Sequence, residues 1–284
     1  MIRNYLKVSL LLACVVGMVS CNKGMDTDDE KKIIENEAAI TKYLADSALT
    51  DKVIHESTGI TYYKRVTNPG GDAATIGNEA IVKFNAYLLN GTKVLSVPND
   101  SSYSFPIGGG ASNFGGLELG ILLMKTGEKA SMFLPYYLAF GNSATTNVPA
   151  YSPVRMELTF IRTRTEVQQI NEYIASKQFV VSERSTDNLV IIRTNTVTGD
   201  TLGSGKAVNV KYTGKFLNGN TFDSNTTPLT TNAGGSIAGF DRAVRRMRKG
   251  EKAIVIFPSA LGYKATGKGS IPPYTPLQFE LEIL

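Results

Sequence analysis

The chain has 284 residues, and its 30 lysines and arginines outnumber its 25 aspartates and glutamates, which gives a formal net charge of +5. It holds one histidine, two cysteines and no tryptophan. So few His and Cys side chains exclude the usual transition-metal sites, and the sequence after residue 164 has no histidine for a serine-type triad. We therefore expect no metal and no cofactor.

The N-terminal segment has the pattern of an export signal. A basic start precedes an apolar run at residues 8–19, which is shorter than the roughly 20 residues that span a bilayer. The run ends in MVSC at residues 18–21, which resembles the lipobox of bacterial lipoproteins. The resemblance implies that residues 1–21 are a signal peptide and that Cys21 is lipidated. It also implies an anchor in the bacterial cell envelope, at the outer membrane, facing the periplasm or the surface. An ordinary signal peptide with an incidental cysteine is the alternative.

Residues 22–34 form a polar segment that contains Asp26, Asp28, Asp29 and Glu30. Segments with high charge and few apolar side chains bury too little surface to fold on their own. We predict a flexible, solvated tether between the lipid and the first domain. A surface-export signal read from the acidic run is the alternative.

One stretch of the sequence occurs twice, which indicates a duplicated structural unit. VKYTG, ending at Gly214, corresponds to VKFNA, ending at Ala86, at an offset of 128 positions. MRKGE, ending at Glu251, corresponds to MKTGE, ending at Glu128, at an offset of 123, so the first copy holds five more residues between the motifs. Each copy is preceded by a helical pattern. The predicted domains are residues 35–163 and residues 164–284.

The second unit has the pattern of a mostly antiparallel sheet with one short helix packed on it. Thr165 and Gln168 fit a capping box at the start of the leading helix, and Asn218-Gly219 is a hairpin signal between two β-rich runs. The predicted strands are 189–192, 208–217, 253–257 and 277–284, and the predicted short helix is 238–249. We therefore predict an α+β fold.

Six motifs follow one another in the second unit: VKYTG at 210–214, FDS at 222–224, IAGF at 237–240, MRKGE at 247–251, GY at 262–263 and IPP at 271–273. In this order and spacing they resemble the FK506-binding-protein (FKBP) family of peptidyl-prolyl isomerases, over residues 205–284. The resemblance implies two FKBP-like domains, each an antiparallel sheet wrapped around a short helix, with a shallow apolar pocket between sheet and helix. The partners it implies are proline-containing unfolded or exported polypeptides.

The residues that the resemblance assigns to the pocket are Tyr212, Phe222, Asp223, Ile237, Phe240, Tyr263 and Phe279. In this assignment, the Ile237 N–H and the Tyr263 hydroxyl anchor substrate carbonyls. Asp223, partly buried by its aromatic neighbours, acts electrostatically rather than as a base. Two departures stand out, because Phe240 replaces the usual tryptophan and the predicted loop at 224–228 is short and lacks the arginine that often partners the aspartate.

The first copy keeps apolar bulk at the pocket positions but loses the polar groups. Its equivalents are Phe84, Val94, Leu95, Phe114, Leu117, Phe140 and Met156. Phenylalanine thus replaces both phenols, and leucine replaces the acid. We predict a degenerate FKBP-like domain without isomerase activity, so that catalysis belongs to the C-terminal domain. The alternative is that both domains form a non-catalytic FKBP-like binding module or a holding chaperone.

Basic residues cluster around the predicted short helix, at Arg242, Arg245, Arg246, Arg248, Lys249 and Lys252. Phe240, Val244 and Met247 recur at helical spacing, which places the basic residues on the outer face of this helix. Cations near a helix C-terminus also interact favourably with its dipole. We therefore expect no nucleic-acid partner, and anionic lipid headgroups are the alternative ligand for this face.

Overall fold

The computed structural model describes residues 27–49, 54–55, 59–97, 101–110, 114–232 and 234–284. The predicted signal peptide, its Cys21 and the predicted tether up to residue 26 lie outside these ranges. Within them, no helix has both the length and the apolar character needed to cross a membrane.

The first domain is an antiparallel sheet with two helices. Its elements are α1 (Thr27–Asp46), β1 (Ile54–His55), β2 (Thr61–Val66), β3 (Glu79–Leu88), β4 (Lys93–Ser96), β5 (Tyr103–Pro106), α2 (Gly115–Leu122), β6 (Lys129–Leu134) and β7 (Val154–Arg164), with a 3₁₀ turn at Tyr136–Leu138. The strand order is β1-β2-β6-β7-β3-β4, and β5 also pairs with β3.

The second domain has the same arrangement of a leading helix, an antiparallel sheet and a short helix, and a single residue, Thr165, separates it from the first domain. Its elements are α3 (Glu166–Ser176), β8 (Glu183–Arg184), β9 (Val190–Arg193), β10 (Ala207–Phe216), β11 (Thr221–Thr230), α4 (Ala238–Arg246), β12 (Lys252–Phe257) and β13 (Leu277–Ile283), with a 3₁₀ turn at Ser259–Leu261. The strand order is β11-β10-β13-β12-β9-β8, and all pairs are antiparallel.

Each sheet packs against one short helix through the same face of that helix. The buried residues are Gly116, Leu117, Gly120 and Ile121 in α2, and Gly239, Phe240, Ala243 and Val244 in α4. Positions spaced in this way lie on one side of an α-helix. Full burial of a large apolar side chain contributes about 1.5–3 kcal/mol, so these faces hold helix and sheet together. The predicted α+β fold with a helix against each antiparallel sheet is confirmed.

Strand register shows that the two copies are equivalent residue by residue. The pairs across the central strands are Phe84 with Leu158 and Ala86 with Met156 in the first domain, and Tyr212 with Leu281 and Gly214 with Phe279 in the second. The helices α2 and α4 begin directly after Phe114 and Ile237, which are also matched positions. The register and the helix starts therefore match Phe84 with Tyr212, Met156 with Phe279 and Phe114 with Ile237.

A buried glutamate closes the same turn in both domains. Glu128 is 3% exposed and Glu251 is 1% exposed. Each accepts the N–H of the residue three positions earlier at 2.9 Å, and each forms an ion pair, with Lys64 at 3.0 Å and with Arg193 at 2.6 Å. Burial opposes ionisation of Glu128, but these hydrogen bonds hold its pKa below the ordinary value. A buried carboxylate needs such partners, so the MxxGE motif specifies the turn.

The leading helices are attached to their domains at matched positions. The Asn36 side chain accepts the N–H of Tyr136 at 2.9 Å. Glu166 takes the equivalent place in the second domain and accepts hydrogen bonds from the N–H and the hydroxyl of Ser259. The capping box predicted at Thr165 is present, with both reciprocal hydrogen bonds formed. The duplication therefore includes the leading helix.

Three expectations about local structure are wrong. Residues 27–34 are helical rather than part of a tether, because α1 begins at Thr27 with acidic side chains in its first turn, where the helix dipole favours them. Residues 224–228 are not a loop, since they pair continuously with β10. The short helix ends at Arg246 instead of 249, because Met247 is extended and its side chain is fully buried.

Candidate active site

Four aromatic rings of the second domain form a cup between β10, β11, β13 and α4. The Phe279 ring is central, and its centroid lies 6.1 Å from that of Tyr212, 5.6 Å from Phe222 and 5.3 Å from Phe240. Tilted and edge-to-face contacts of this kind add about 0.5–1.5 kcal/mol per pair beyond burial. Phe240 and Phe279 are 4% exposed, whereas Tyr212 and Phe222 are half-buried. The first two rings therefore form the floor of the cup and the other two its rim.

A hydrogen bond joins the two polar side chains on adjacent strands at this rim. The Tyr212 hydroxyl donates to a carboxylate oxygen of Asp223 at 2.7 Å. Burial and this hydrogen bond raise the pKa of Tyr212 to about 12. Burial, and then the Asp223 carboxylate, also raise the pKa of Tyr263. Both phenols therefore remain protonated donors at physiological pH, beside one carboxylate.

Asp223 is exposed rather than partly buried, so that expectation is wrong. Its position in β11 directs it toward the end of the Tyr212 side chain, and Phe222 occupies the neighbouring apolar position. An exposed carboxylate retains part of its hydration. Its carboxylate orients the Tyr212 hydroxyl and places a negative charge beside it.

Two hydrogen-bond donors beside the cup remain free. Ile237 precedes α4, and its carbonyl accepts the N–H of Asp241 at 3.2 Å. The N–H of Ile237 and the hydroxyl of Tyr263 donate to no group in the described ranges. Both residues are half-buried and pack against the core that contains the cup. The site thus offers an apolar surface with donors at its edge.

Close approach of the rings to the backbone depends on two glycines. A Cβ on Gly214 would lie 2.6 Å from two carbons of the Phe222 ring and 3.0 Å from Phe279. A Cβ on Gly239 would lie 2.6 Å from the Phe257 ring. Contacts this short do not occur with real side chains, so the cup requires glycine at both places.

The sequence assignment omitted several supporting residues. The Phe257 ring stacks on Phe279 with centroids 5.7 Å apart and an interplanar angle of 12°. Phe216 contacts Phe222 at 5.1 Å. Both belong to strands that the sequence predicts, but the alternating pattern of those strands does not say which ring they support. The side chain of Lys268, which the sequence did not single out, lies over the Tyr263 ring at 5.6 Å from its centroid.

In the first domain, two aromatic rings stand at the positions matched to Ile237 and Tyr263. Phe114 is 5% exposed, and its ring contacts Phe140 edge to face at 5.0 Å. The matched residues of the second domain are Ile237 and Tyr263, both half-buried. Phe114 is therefore buried more deeply than its match Ile237, whereas Phe140 is half-buried like Tyr263.

Ion pairs engage the arginines around α4. Arg242 pairs with Asp187, Arg245 with Asp241 at 3.0 Å, Arg246 with Glu183 at 2.9 Å and Arg248 with Glu251 at 3.3 Å. Their positive charge is therefore largely compensated within the domain. In the described part of the chain, no three His, Cys, Asp or Glu side chains are grouped in a way that fits a metal ion.

Comparisons with known proteins connect this geometry to one family. The sequence model of the FKBP-type peptidyl-prolyl cis-trans isomerases matches residues 70–161 and 199–284. An FK506-binding protein of Neisseria meningitidis serogroup A is 40% identical over 86 residues, which cover 28% of this chain and 79% of that protein. The rat peptidyl-prolyl cis-trans isomerase FKBP4 is 23% identical over 263 residues, 90% of this chain and 54% of that protein. The crystal structure of the three FKBP domains of wheat FKBP73 matches with a TM-score of 0.40 and 23% identity, over 82% of this chain and 97% of that one.

Proposed function

Because the chain belongs to the FKBP-type peptidyl-prolyl cis-trans isomerase family, we propose that its catalytic site is the aromatic cup of the second domain. We propose further that the substrates are proline-containing segments of exported proteins during folding. One observation carries the assignment of the site. The hydrogen bond between Tyr212 and Asp223 stands at the rim of the aromatic cup, whereas the matched first-domain residues are Phe84 and Leu95.

The chemistry of prolyl isomerisation suits this arrangement. Rotation about a peptide bond meets a barrier of about 18–20 kcal/mol, because amide resonance is lost in the twisted state. No covalent bond breaks, so no nucleophile or metal is required. The twisted amide is less dipolar than the planar one, and an apolar cup that strips water from it favours the twisted state.

The polar groups position the substrate around this bond. The free N–H of Ile237 and the Tyr263 hydroxyl donate to substrate carbonyls on the two sides of the proline. The proline ring packs on the floor formed by Phe240 and Phe279. Asp223 accepts from Tyr212 and thereby fixes the direction of that hydroxyl at the rim. Each role is positioning or electrostatic, and none requires proton transfer.

A proline-peptide isomerisation assay on the whole chain tests this proposal. Asp223→Leu, which copies the first domain, is expected to lower kcat/KM about tenfold, since a hydrogen bond to a charged group is worth about 1.5 kcal/mol or more. Tyr263→Phe removes one neutral hydrogen-bond donor and is expected to lower kcat/KM by a smaller factor.

Leu95→Ala at the matched position of the first domain is the control and should leave the rate unchanged. Unaltered rates in both second-domain variants would mean that the site is misassigned. An unsubstituted chain that never exceeds the uncatalysed rate, yet suppresses aggregation of unfolded protein, would favour the holding-chaperone alternative.

We also propose that a lipid attached to Cys21 anchors the protein in the cell envelope, where it would encounter exported polypeptides. The support is the MVSC motif at residues 18–21. Cys21→Ala should move the protein from the membrane fraction to the soluble fraction of lysed cells. Cys14→Ala alters the other cysteine and should leave attachment intact. Membrane association that survives Cys21→Ala would contradict the anchor.

A further inference from the structure

Lys268 is held rigidly beside the proposed catalytic site. It forms a β-bridge with Ile271, in which each residue donates its N–H to the other's carbonyl at 2.9 Å. The turn between them contains Gly269, whose φ of +57° favours glycine. Ile271 is 7% exposed and packs in the core that contains the cup. The backbone of Lys268 is therefore fixed relative to that core.

The side chain of Lys268 brings its ammonium over the Tyr263 ring, beside the cup. The Nζ atom lies 5.6 Å from the centroid of the Tyr263 ring. A cation over an aromatic face is attracted by the ring's negative quadrupole, which stabilises this conformation. Because the Tyr263 hydroxyl is one of the free donors, the charge stands close to where a substrate carbonyl would be held.

The ammonium is not neutralised by the protein. No carboxylate in the described ranges lies within ion-pair distance of Lys268, in contrast to the arginines around α4. The pocket acid, Asp223, is engaged by Tyr212. A positive charge on a fixed hairpin at the mouth of an apolar cup remains available to a ligand.

From this we propose that Lys268 is a specificity-determining residue, which favours substrates with an acidic side chain next to the proline. The inference rests on the proposed isomerase function of the second domain. The substrate carboxylate forms an ion pair with the Lys268 ammonium while the proline ring occupies the cup. Exposed ion pairs contribute modestly, so we expect a preference of roughly twofold to fivefold in kcat/KM over a neutral side chain.

Two peptide series test this proposal with the whole chain. Each series differs only in one residue, Glu, Gln or Lys, placed either before or after the proline. In at least one series the unsubstituted protein should prefer Glu over Gln over Lys, and added salt should reduce the preference, because exposed charges are screened. Lys268→Gln should remove the preference while the Gln peptide keeps its rate, and Lys268→Glu should favour the Lys peptide.

Lys249→Gln is the matched control, since it removes the same charge from an exposed site elsewhere in the domain and should preserve the preference. Equal rates for the three peptides in both series would overturn the proposal. The proposal would also fail if Lys268→Gln lowered the rates of the Glu, Gln and Lys peptides by the same factor. Lys268 would then act only by holding the Tyr263 side chain in place. No turnover of any peptide would instead refute the isomerase function itself, and this inference with it.

Discussion

Gly214 and Phe222 form a pair that the first domain replaces as a unit. A Cβ on Gly214 would lie 2.6 Å from the Phe222 ring, so glycine is required wherever the ring is present. The matched residues of the first domain are Ala86 in place of Gly214 and Val94 in place of Phe222. The first domain thus has a larger residue where the second has glycine and a smaller one where the second has the Phe222 ring.

We predict that Gly214→Ala destabilises the second domain and that Phe222→Val partly restores it. Overpacking of this kind costs about 1–3 kcal/mol in the free energy of unfolding. Residues in direct contact are coupled, so the double variant should be more stable than the sum of the two single effects predicts. Denaturant unfolding of the four proteins measures this coupling.

The control is Gly235→Ala, where nothing lies within 4 Å of the added Cβ. This change should alter stability by no more than about 0.5 kcal/mol. Strictly additive effects of Gly214→Ala and Phe222→Val would show that the ring does not occupy the space above Gly214.

At the scale of elements, the sequence predicted most reliably those features that depend on local chemistry. The capping box at Thr165 and the Asn218-Gly219 hairpin are present, with Gly219 at φ +94°. The strand expected at 253–257 is found one residue longer, at Lys252–Phe257. These signals rely on caps, turns and alternation, which act over a few residues.

The errors fall where distant partners decide the structure. The segment 224–228 is a strand because β10 lies beside it, whereas in the first domain the two strands β4 and β5 both pair with the matched strand β3. Residues 27–34, mostly charged, join α1, which is attached to its domain further along by Asn36. The sequence pattern within either segment does not predict these contacts, because their partners lie elsewhere in the chain.

The candidate site was predictable only in part for the same reason. Family resemblance supplied the wall residues, but the hydrogen bond between Tyr212 and Asp223 depends on the register of two strands. The edge-to-face contact between Phe114 and Phe140 in the first domain likewise depends on a ring distance that the sequence does not encode directly. The prediction that the first copy is inactive rests on its loss of the polar residues.

At the scale of the whole molecule, the two domains join without a flexible linker. Strand β7 ends at Arg164, and α3 begins two residues later. The Arg164 guanidinium pairs with Glu79 of the first domain and with Glu172 of the second, the latter at 2.7 Å. A charge shared by both domains at the junction opposes bending there.

A second contact lies at the loop that carries Ile271 and Lys268. A Cβ on Gly77 or on Gly108 of the first domain would lie 3.4 Å from the Tyr274 ring, so this ring lies against two glycine turns. Tyr274 has a φ of +53°, and its N–H donates to the Lys264 carbonyl at 2.8 Å. The first domain therefore contacts the loop of the second domain that carries Ile271 and Lys268, which gives the first domain a structural role.

We predict that the orientation of the domains depends on these two contacts. Spin labels on cysteines introduced by Ser143→Cys and Thr198→Cys report the distance between the domains. The chain with native contacts should give a narrow distance distribution. Tyr274→Ala combined with Glu172→Gln should broaden it, because domains joined by small interfaces move relative to one another by default.

Tyr63→Ala is the matched control, since that tyrosine contacts Arg65 within its own domain and its loss should leave the distribution narrow. A broad distribution before any substitution would mean that the contacts at Arg164 and Tyr274 are too weak to hold the domains. A distribution that stays narrow in the double variant would assign the orientation to the direct passage from β7 to α3. Either result would mean that the contact between the first domain and the Tyr274 loop does not set the orientation of the two domains.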